Sequence, residues 1–235
     1  MPNIPEKLVA MIREVARALG DEMLSQIAFV GGCTTGLLMT DPITRESVRY
    51  TQDVDLIIDI FGYPAWTRLQ SQLRDIGFQE SMDEGAICRM YLGELKVDFM
   101  PVDPDILGFS NRWYRKALAT AQPYQIDEDL SIRLLTPPLF IATKLEAYLG
   151  RGQNDPLESK DIEDIVNLFD GRIELIREIK LSDLDIRRYI ADQIKDLLDN
   201  SNFHYIVESH TRNAPGRDQI IYERLEDISN IGNTL

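Results

Sequence analysis

Between Ile27 and Ile60 the chain reads IAFVGGCTTGLLMTDPITRESVRYTQDVDLIIDI, and this stretch restricts what the remainder can fold into. Ile27 to Val30 predicts a short buried strand, and the Gly31-Gly32 pair lets the backbone turn tightly and approach a ligand with no Cβ in the way. Cys33, Thr34 and Thr35 open a short predicted helix near Thr34 to Met39, and Thr40 to Arg49 is turn-rich. A second strand, Val54 to Ile60, follows Asp53. Alternate residues of an extended chain share a face, so Asp53 and Asp55 point one way while Val54, Leu56 and Ile58 point the other. Two carboxylates side by side repel each other. A cation between them removes the repulsion, and hard oxygen ligands in a phosphate site favour Mg²⁺.

The rest of the first half reads as alternating helices and strands. Leu8, Met11, Ile12, Val15 and Leu19 have the spacing of an amphipathic helix from Ile4 to Leu19, stopped at Gly20. Pro64 begins another, with Trp66, Leu69, Leu73 and Ile76 as its buried stripe and Gly77 as its stop. Ala86 to Leu92 and Leu95 to Met100 predict two strands joined by a two-residue hairpin at Gly93-Glu94. That turn sets the register: Leu92 opposite Leu95, Tyr91 opposite Lys96, Met90 opposite Val97 and Arg89 opposite Asp98. Arg89, Tyr91, Lys96 and Asp98 then share one face, and Cys88, Met90, Val97 and Phe99 form the core face. Pro101 to Asn111 reads as a loop with turn-forming aspartates at Asp103-Pro104-Asp105, Trp113 to Ala121 as a short helix, and Gln122 to Leu135 as two further strands.

Pro137-Pro138 marks a boundary, because proline suits the first turn of a helix and not the strand before it. Beyond it the pattern is helical: Leu139 to Leu149, Leu157 to Phe169, Leu181 to Leu198 and about Asp218 to Ile228. The expected division is residues 1–136 and 137–235. Lys144, Tyr148 and Arg151 share a helical face, with Ile141, Leu145 and Leu149 elsewhere; Gly152 to Pro156 reads as a loop. Lys160, Asp161 and Asp164 open the next helix, whose core stripe is Ile162, Ile165, Val166 and Phe169. Asp161 and Asp164 read equally well as favourable charges in a helix first turn.

Two separated motifs carry a family resemblance. Strand, Gly31-Gly32, helix and a strand with Asp53-x-Asp55 resemble the nucleotidyltransferase superfamily that includes DNA polymerase β. The Thr51, Asp53, Asp55 segment and the later Lys144…Arg151…Lys160-Asp161-x-x-Asp164 pattern are similar to bacterial abortive-infection toxin-type nucleotidyltransferases. The segment between Gly32 and Asp53 is longer than the usual superfamily spacing. The resemblance covers about Ile27 to Phe169 and implies an α/β (α+β) fold, a nucleotidyltransferase-like mixed sheet with flanking helices, whose helical C-terminal part completes the active-site cleft. It implies that Asp98 stands on a strand beside the Asp53-x-Asp55 strand. Asp53, Asp55 and Asp98 would then be the catalytic, metal-holding carboxylates for Mg²⁺ or Mn²⁺, with ATP or another NTP as substrate. Gly31, Gly32, Thr34 and Thr51 would line the nucleotide site. Lys144 would meet the triphosphate, with Arg89 as a second cation, and Asp161 would orient Lys144 or contact the sugar. The acceptor stays open among tRNA, a protein hydroxyl and a small molecule, and a toxin-type enzyme would have an antitoxin. The rival expectation is a catalytically silent nucleotide-binding or partner-binding module of the same fold.

Composition narrows the classes. The 235 residues are 44% hydrophobic, enough for a globular core, and a net charge of −14 disfavours a general nucleic-acid coat protein. With only Cys33 and Cys88, no signal peptide and no membrane-length apolar run, a reduced, cytoplasmic setting off the membrane is expected. GGCTTG lacks the spacing of a dinucleotide fingerprint and the Lys-Ser/Thr ending of a P-loop, and His204 and His210 lack a ligand set.

Overall fold

A computed structural model describes residues 4–46, 48–80, 87–150 and 155–231. The chain begins with α1 (Ile4–Leu24), β1 (Ile27–Val30), a 3₁₀ turn (Gly32–Thr34) and two one-turn helices, α2 (Thr35–Leu38) and α3 (Pro42–Arg45). Then come β2 (Asp53–Ile58), α4 (Gly62–Asp75), β3 (Gln79–Glu80), β4 (Arg89–Leu92) and β5 (Leu95–Pro101). α5 (Pro104–Leu107), α6 (Tyr114–Thr120), β6 (Gln122–Asp127) and β7 (Leu130–Leu134) complete the first half. The second half is helical: α7 (Pro137–Gly150), a 3₁₀ turn (Pro156–Glu158), α8 (Lys160–Gly171), α9 (Leu175–Leu181), α10 (Leu184–Leu198), α11 (Ser201–Thr211) and α12 (Arg217–Ser229). The class is mixed α/β. Two units result, one of Met1–Thr34 with Arg49–Thr136 and the other of Thr35–Val48 with Pro137–Leu235. Among the described residues no helix is long and apolar enough to cross a membrane.

The first unit holds a seven-stranded mixed sheet in the order β3-β4-β5-β2-β1-β7-β6. β1 runs antiparallel to β2, whereas β2 and β5 are parallel. The Gly93-Glu94 turn sets the β4–β5 hairpin in the register expected from its length, Leu92 opposite Leu95 through Arg89 opposite Asp98. β1 is apolar on both faces, and Ile27, Ala28, Phe29, Leu56 and Ile57 are fully buried, as strands covered on both sides must be. Met90, Val97 and Phe99 form the core face of the hairpin, with Phe78 edge-on to Phe99 at 5.7 Å between ring centroids. The buried stripe of α1 is Leu8, Met11, Ile12, Val15 and Leu19.

Several local expectations change. Gly20 kinks α1 instead of ending it, and the helix resumes to Leu24. Ile76 caps α4 and is 39% exposed, because the stripe has rotated off the core by the last turn. Cys88 precedes β4 instead of lying in it, and Ala86 lies outside the described residues. Asp103 does not sit in a plain loop: its carboxylate accepts from the Asp105 amide and starts α5.

In the second unit, α7 is buried along Pro138 to Leu145, and α8 packs against it, showing no exposed residue from Asp161 to Gly171. The segment Thr35–Val48 groups here because α2 and α3 pack on α8. Thr40 and Asp41 donate their amides to the Gly171 carbonyl at 2.9 Å, and Arg172 donates to the Leu38 carbonyl at 2.6 Å. The approach needs glycine: a Cβ on Gly171 would lie 2.2 Å from the Met39 methyl and 2.7 Å from Thr44 Oγ1. The sequence pattern passes over α9 and α11 as separate helices; each is short, and α11 is started by Asn200 accepting from the Asn202 amide.

Candidate metal centre

Three carboxylates meet on one face of the first unit's sheet. The parallel pairing of β2 with β5 sets Asp55 beside Asp98 and Asp53 beside Lys96. One ligand oxygen each from Asp53, Asp55 and Asp98 lies within 4.8 Å of the others. Oxygens on opposite sides of a Mg²⁺-sized ion stand about 4 Å apart, so small carboxylate rotations bring all three onto one hard divalent cation. An all-oxygen donor set suits such an ion and disfavours soft metals.

The Gly-Gly turn is built around this cluster. β1 and β2 pair Val30 with Asp55, which sets Gly31 against the Asp55 side chain. Gly31 has φ +78°, and a Cβ there would lie 1.8 Å from Asp55 Oδ2 and 2.9 Å from Asp55 Cβ. Thr34, fully buried, donates its hydroxyl to the Gly31 carbonyl at 2.8 Å, and its amide donates to the same oxygen at 3.1 Å. Thr34 therefore pins the turn instead of offering its hydroxyl proton outward. The helix expected after the turn is a 3₁₀ turn of Gly32–Thr34 followed by the one-turn α2, too short for a strong anion-attracting dipole. Thr51, at the other end of the motif, donates its hydroxyl to Asp53 Oδ1 and is 7% exposed.

Asp98 is bound by a residue of β4, the strand on the other side of β5 from β2. Arg89 Nε donates to Asp98 Oδ1 at 2.8 Å and Nη2 to Oδ2 at 2.7 Å, a fork on both carboxylate oxygens. These bonds, with added attraction from Asp53, outweigh the desolvation of the guanidinium and raise its pKa further above its ordinary value. Asp98 is no edge-strand charge, since β5 lies between β4 and β2.

Lys144 and Asp161 belong to the second unit, where they meet each other. Lys144 Nζ lies 3.1 Å from Asp161 Oδ1 and 2.7 Å from Asp164 Oδ2, with the three side chains 9%, 3% and 0% exposed. The face of α7 that carries Lys144 and Tyr148 is thus buried, and Leu149, expected on another face, is 41% exposed. Arg151, with residues 152–154, lies outside the described residues. Both histidines are bonded within this unit, His204 to the Tyr222 hydroxyl and the Leu198 carbonyl, His210 to Asp170.

No protein-family model matches the chain, and comparison with curated proteins finds no match. The site therefore rests on its own geometry.

Lys96 and Tyr91 gain significance that residue type alone withheld. They oppose each other across the hairpin on the face of Arg89 and Asp98, and Lys96 is also the register partner of Asp53. The signal that finds them is the two-residue turn, which fixes the alternation of both strands.

Cys88 reports on the same charges. Burial first, then the negative charge of Asp98, pushes its thiol up to about 11. A raised pKa keeps the protonated, unreactive form at neutral pH. At pH 8 alkylation of Cys88 in the native protein is expected to run about a hundredfold slower than for an ordinary exposed thiol. Peptide-resolved labelling with iodoacetamide measures this, and labelling of native Cys88 at the free-thiol rate contradicts it.

Proposed function

We propose that the chain is a divalent-metal-dependent nucleotidyltransferase with a nucleotidyltransferase-like fold, moving a nucleoside monophosphate from an NTP to an acceptor hydroxyl. The observation that carries the reading is the convergence of the Asp53, Asp55 and Asp98 oxygens within 4.8 Å, beside a glycine turn whose Gly31 has no room for a side chain. Mg²⁺ or Mn²⁺, when bound, neutralises the triphosphate and lowers the pKa of the attacking hydroxyl. Asp53, Asp55 and Asp98 hold the ion, and Asp55 is kept in place by the missing Cβ of Gly31. Thr51 holds the rotamer of Asp53 through its hydroxyl. Gly31 and Gly32 let the substrate phosphates approach the backbone, and Lys96 and Arg89 supply positive charge on the carboxylate face.

The overall charge of −14 favours a small or locally docked acceptor over a long nucleic acid. A tRNA end or a protein hydroxyl fits, and a toxin-type role with an antitoxin partner follows from the same reading. The second reading, a silent nucleotide-binding module, gains from the pairing of Asp98 with Arg89, which satisfies one of the three carboxylates without any ion.

The deciding test incubates the protein with each α-labelled NTP, Mg²⁺ or Mn²⁺, and total RNA or lysate protein. Asp55→Asn, which keeps the shape and removes one negative ligand, is expected to cut label transfer by at least about a hundredfold. Equal labelling by both proteins overturns the enzyme reading, and NTP binding indifferent to metal supports the silent module.

A further inference from the structure

We infer that Arg89 is the resident counter-cation of the carboxylate cluster, a positioning residue that a divalent ion must displace from Asp98 and that then turns to the substrate phosphates. The inference rests on the reading of this face as a metal-dependent nucleotidyl-transfer site. It adds an order of events that the carboxylates alone do not define.

Three anionic side chains within 4.8 Å of one another need compensating charge at all times. In this structure Arg89 supplies part of it by direct bonds to Asp98. The guanidinium bonds both oxygens of Asp98 at 2.8 and 2.7 Å, so both already hold a charged donor. The pair is sheltered, with Arg89 26% and Asp98 12% exposed along their side chains, which strengthens it against water and salt. Asp53 also attracts Arg89, so one guanidinium serves two of the three ligands.

A cation arriving at this cluster therefore meets a positive charge already seated there. Binding has to release Arg89 from at least one Asp98 oxygen, and the released fork matches a phosphate as well as it matched the carboxylate. β4 favours such movement: it is four residues long, and its partner on the outer side is the two-residue β3. A merely structural brace across the β4–β5 hairpin would leave metal affinity unaffected or would support it by orienting Asp98.

The test measures Mn²⁺ affinity of the whole protein by titration calorimetry, without NTP, for wild type, Arg89→Gln, Arg89→Lys and Asp55→Asn. Folding of each is verified by circular dichroism. Arg89→Gln is expected to bind Mn²⁺ about tenfold tighter or more, because a competing unit charge is gone. Arg89→Lys, which keeps the charge but not the fork, falls between. In the presence of Mn²⁺, Arg89→Gln is expected to bind a non-hydrolysable NTP analogue at least about tenfold more weakly. Mn²⁺ affinity in Arg89→Gln that is unchanged within twofold, or weaker, overturns the inference. Failure of the two readings is separable. Tighter Mn²⁺ binding by Arg89→Gln without label transfer by wild type sinks the enzyme reading and leaves this one, whereas active wild type with unchanged affinity does the reverse. Absence of Mn²⁺ binding by wild type and Arg89→Gln alike overturns both.

Discussion

Gly31→Ala is expected to weaken divalent-ion binding at least about tenfold while leaving most of the fold in place. Two effects add at this position. The backbone sits at φ +78°, a left-handed conformation that costs a residue with a Cβ about 1–2 kcal/mol. The new methyl would also stand 1.8 Å from Asp55 Oδ2, 2.7 Å from its Cγ and 2.9 Å from its Cβ. Because the Asp55 Cβ itself is crowded, rotating the carboxylate tip does not clear the clash. Either Asp55 swings out of the cluster or β1 and β2 shift apart at the Val30–Asp55 pair. The first route removes one of three ligands, and the second opens a ladder in the middle of the sheet. Overpacking of this kind costs about 1–3 kcal/mol beyond the backbone term. The measurable outcome is a lowered melting temperature with native secondary structure, and Mn²⁺ affinity reduced by at least about tenfold. A Gly31→Ala protein with wild-type melting and wild-type Mn²⁺ binding would show that the glycine serves neither purpose.

Lys144→Met is expected to be strongly destabilising to the second unit. Methionine matches the aliphatic stem and removes only the ammonium, leaving Asp161 and Asp164, 2% and 0% exposed, to face each other inside the protein. Removing one partner of a buried ionic group typically costs about 3–5 kcal/mol, a large share of the roughly 5–15 kcal/mol that holds a domain together. A drop in melting temperature of about 6–20 °C follows for a chain of this size. The triple change Lys144→Met, Asp161→Asn and Asp164→Asn is expected to recover most of that loss, since two buried negative charges go with the lysine. If Lys144 acts only on a nucleotide, Lys144→Met melts like wild type and loses transfer alone. Thermal unfolding of the single and triple variants therefore separates a structural lysine from a ligand-binding one.

Much of the first unit was legible from local chemistry. The Gly93-Glu94 turn dictated the register of β4 and β5, and with it the shared face of Arg89, Tyr91, Lys96 and Asp98. Alternation put Asp53 and Asp55 together, and the apolar run Ile27 to Val30 is β1 to the residue. The second unit was less legible. α8 has its apolar stripe where periodicity puts it, but Asp161, Asp164, Asn167 and Asp170, three residues apart, are buried as well. Charge at a helix start reads as solvated unless a partner is known, and the partners come from far along the chain. Lys144 answers Asp161 and Asp164, while Arg217 and His210 answer Asp170. Arg217 reaches Asp41 too, tying α12 to the start of α3. Likewise nothing local to Thr35–Val48 says that it groups with helices a hundred residues later, because the reason is a glycine in α8 that lets the two backbones touch.

By itself the sequence determined β1, the shared face of Asp53 and Asp55 and the register of the β4–β5 hairpin, because those follow from φ/ψ limits and a period of 2 within a few residues, whereas the two-residue β3 carries no such signal. Only the tertiary structure decided that β5 lies parallel to β2 with Asp98 beside Asp55, that Arg89 closes on Asp98 with both donors, and that Lys144 is spent on two buried aspartates. Such pairings depend on closing long loops and on what each neighbour removes from water, and neither is written in any short window of residues.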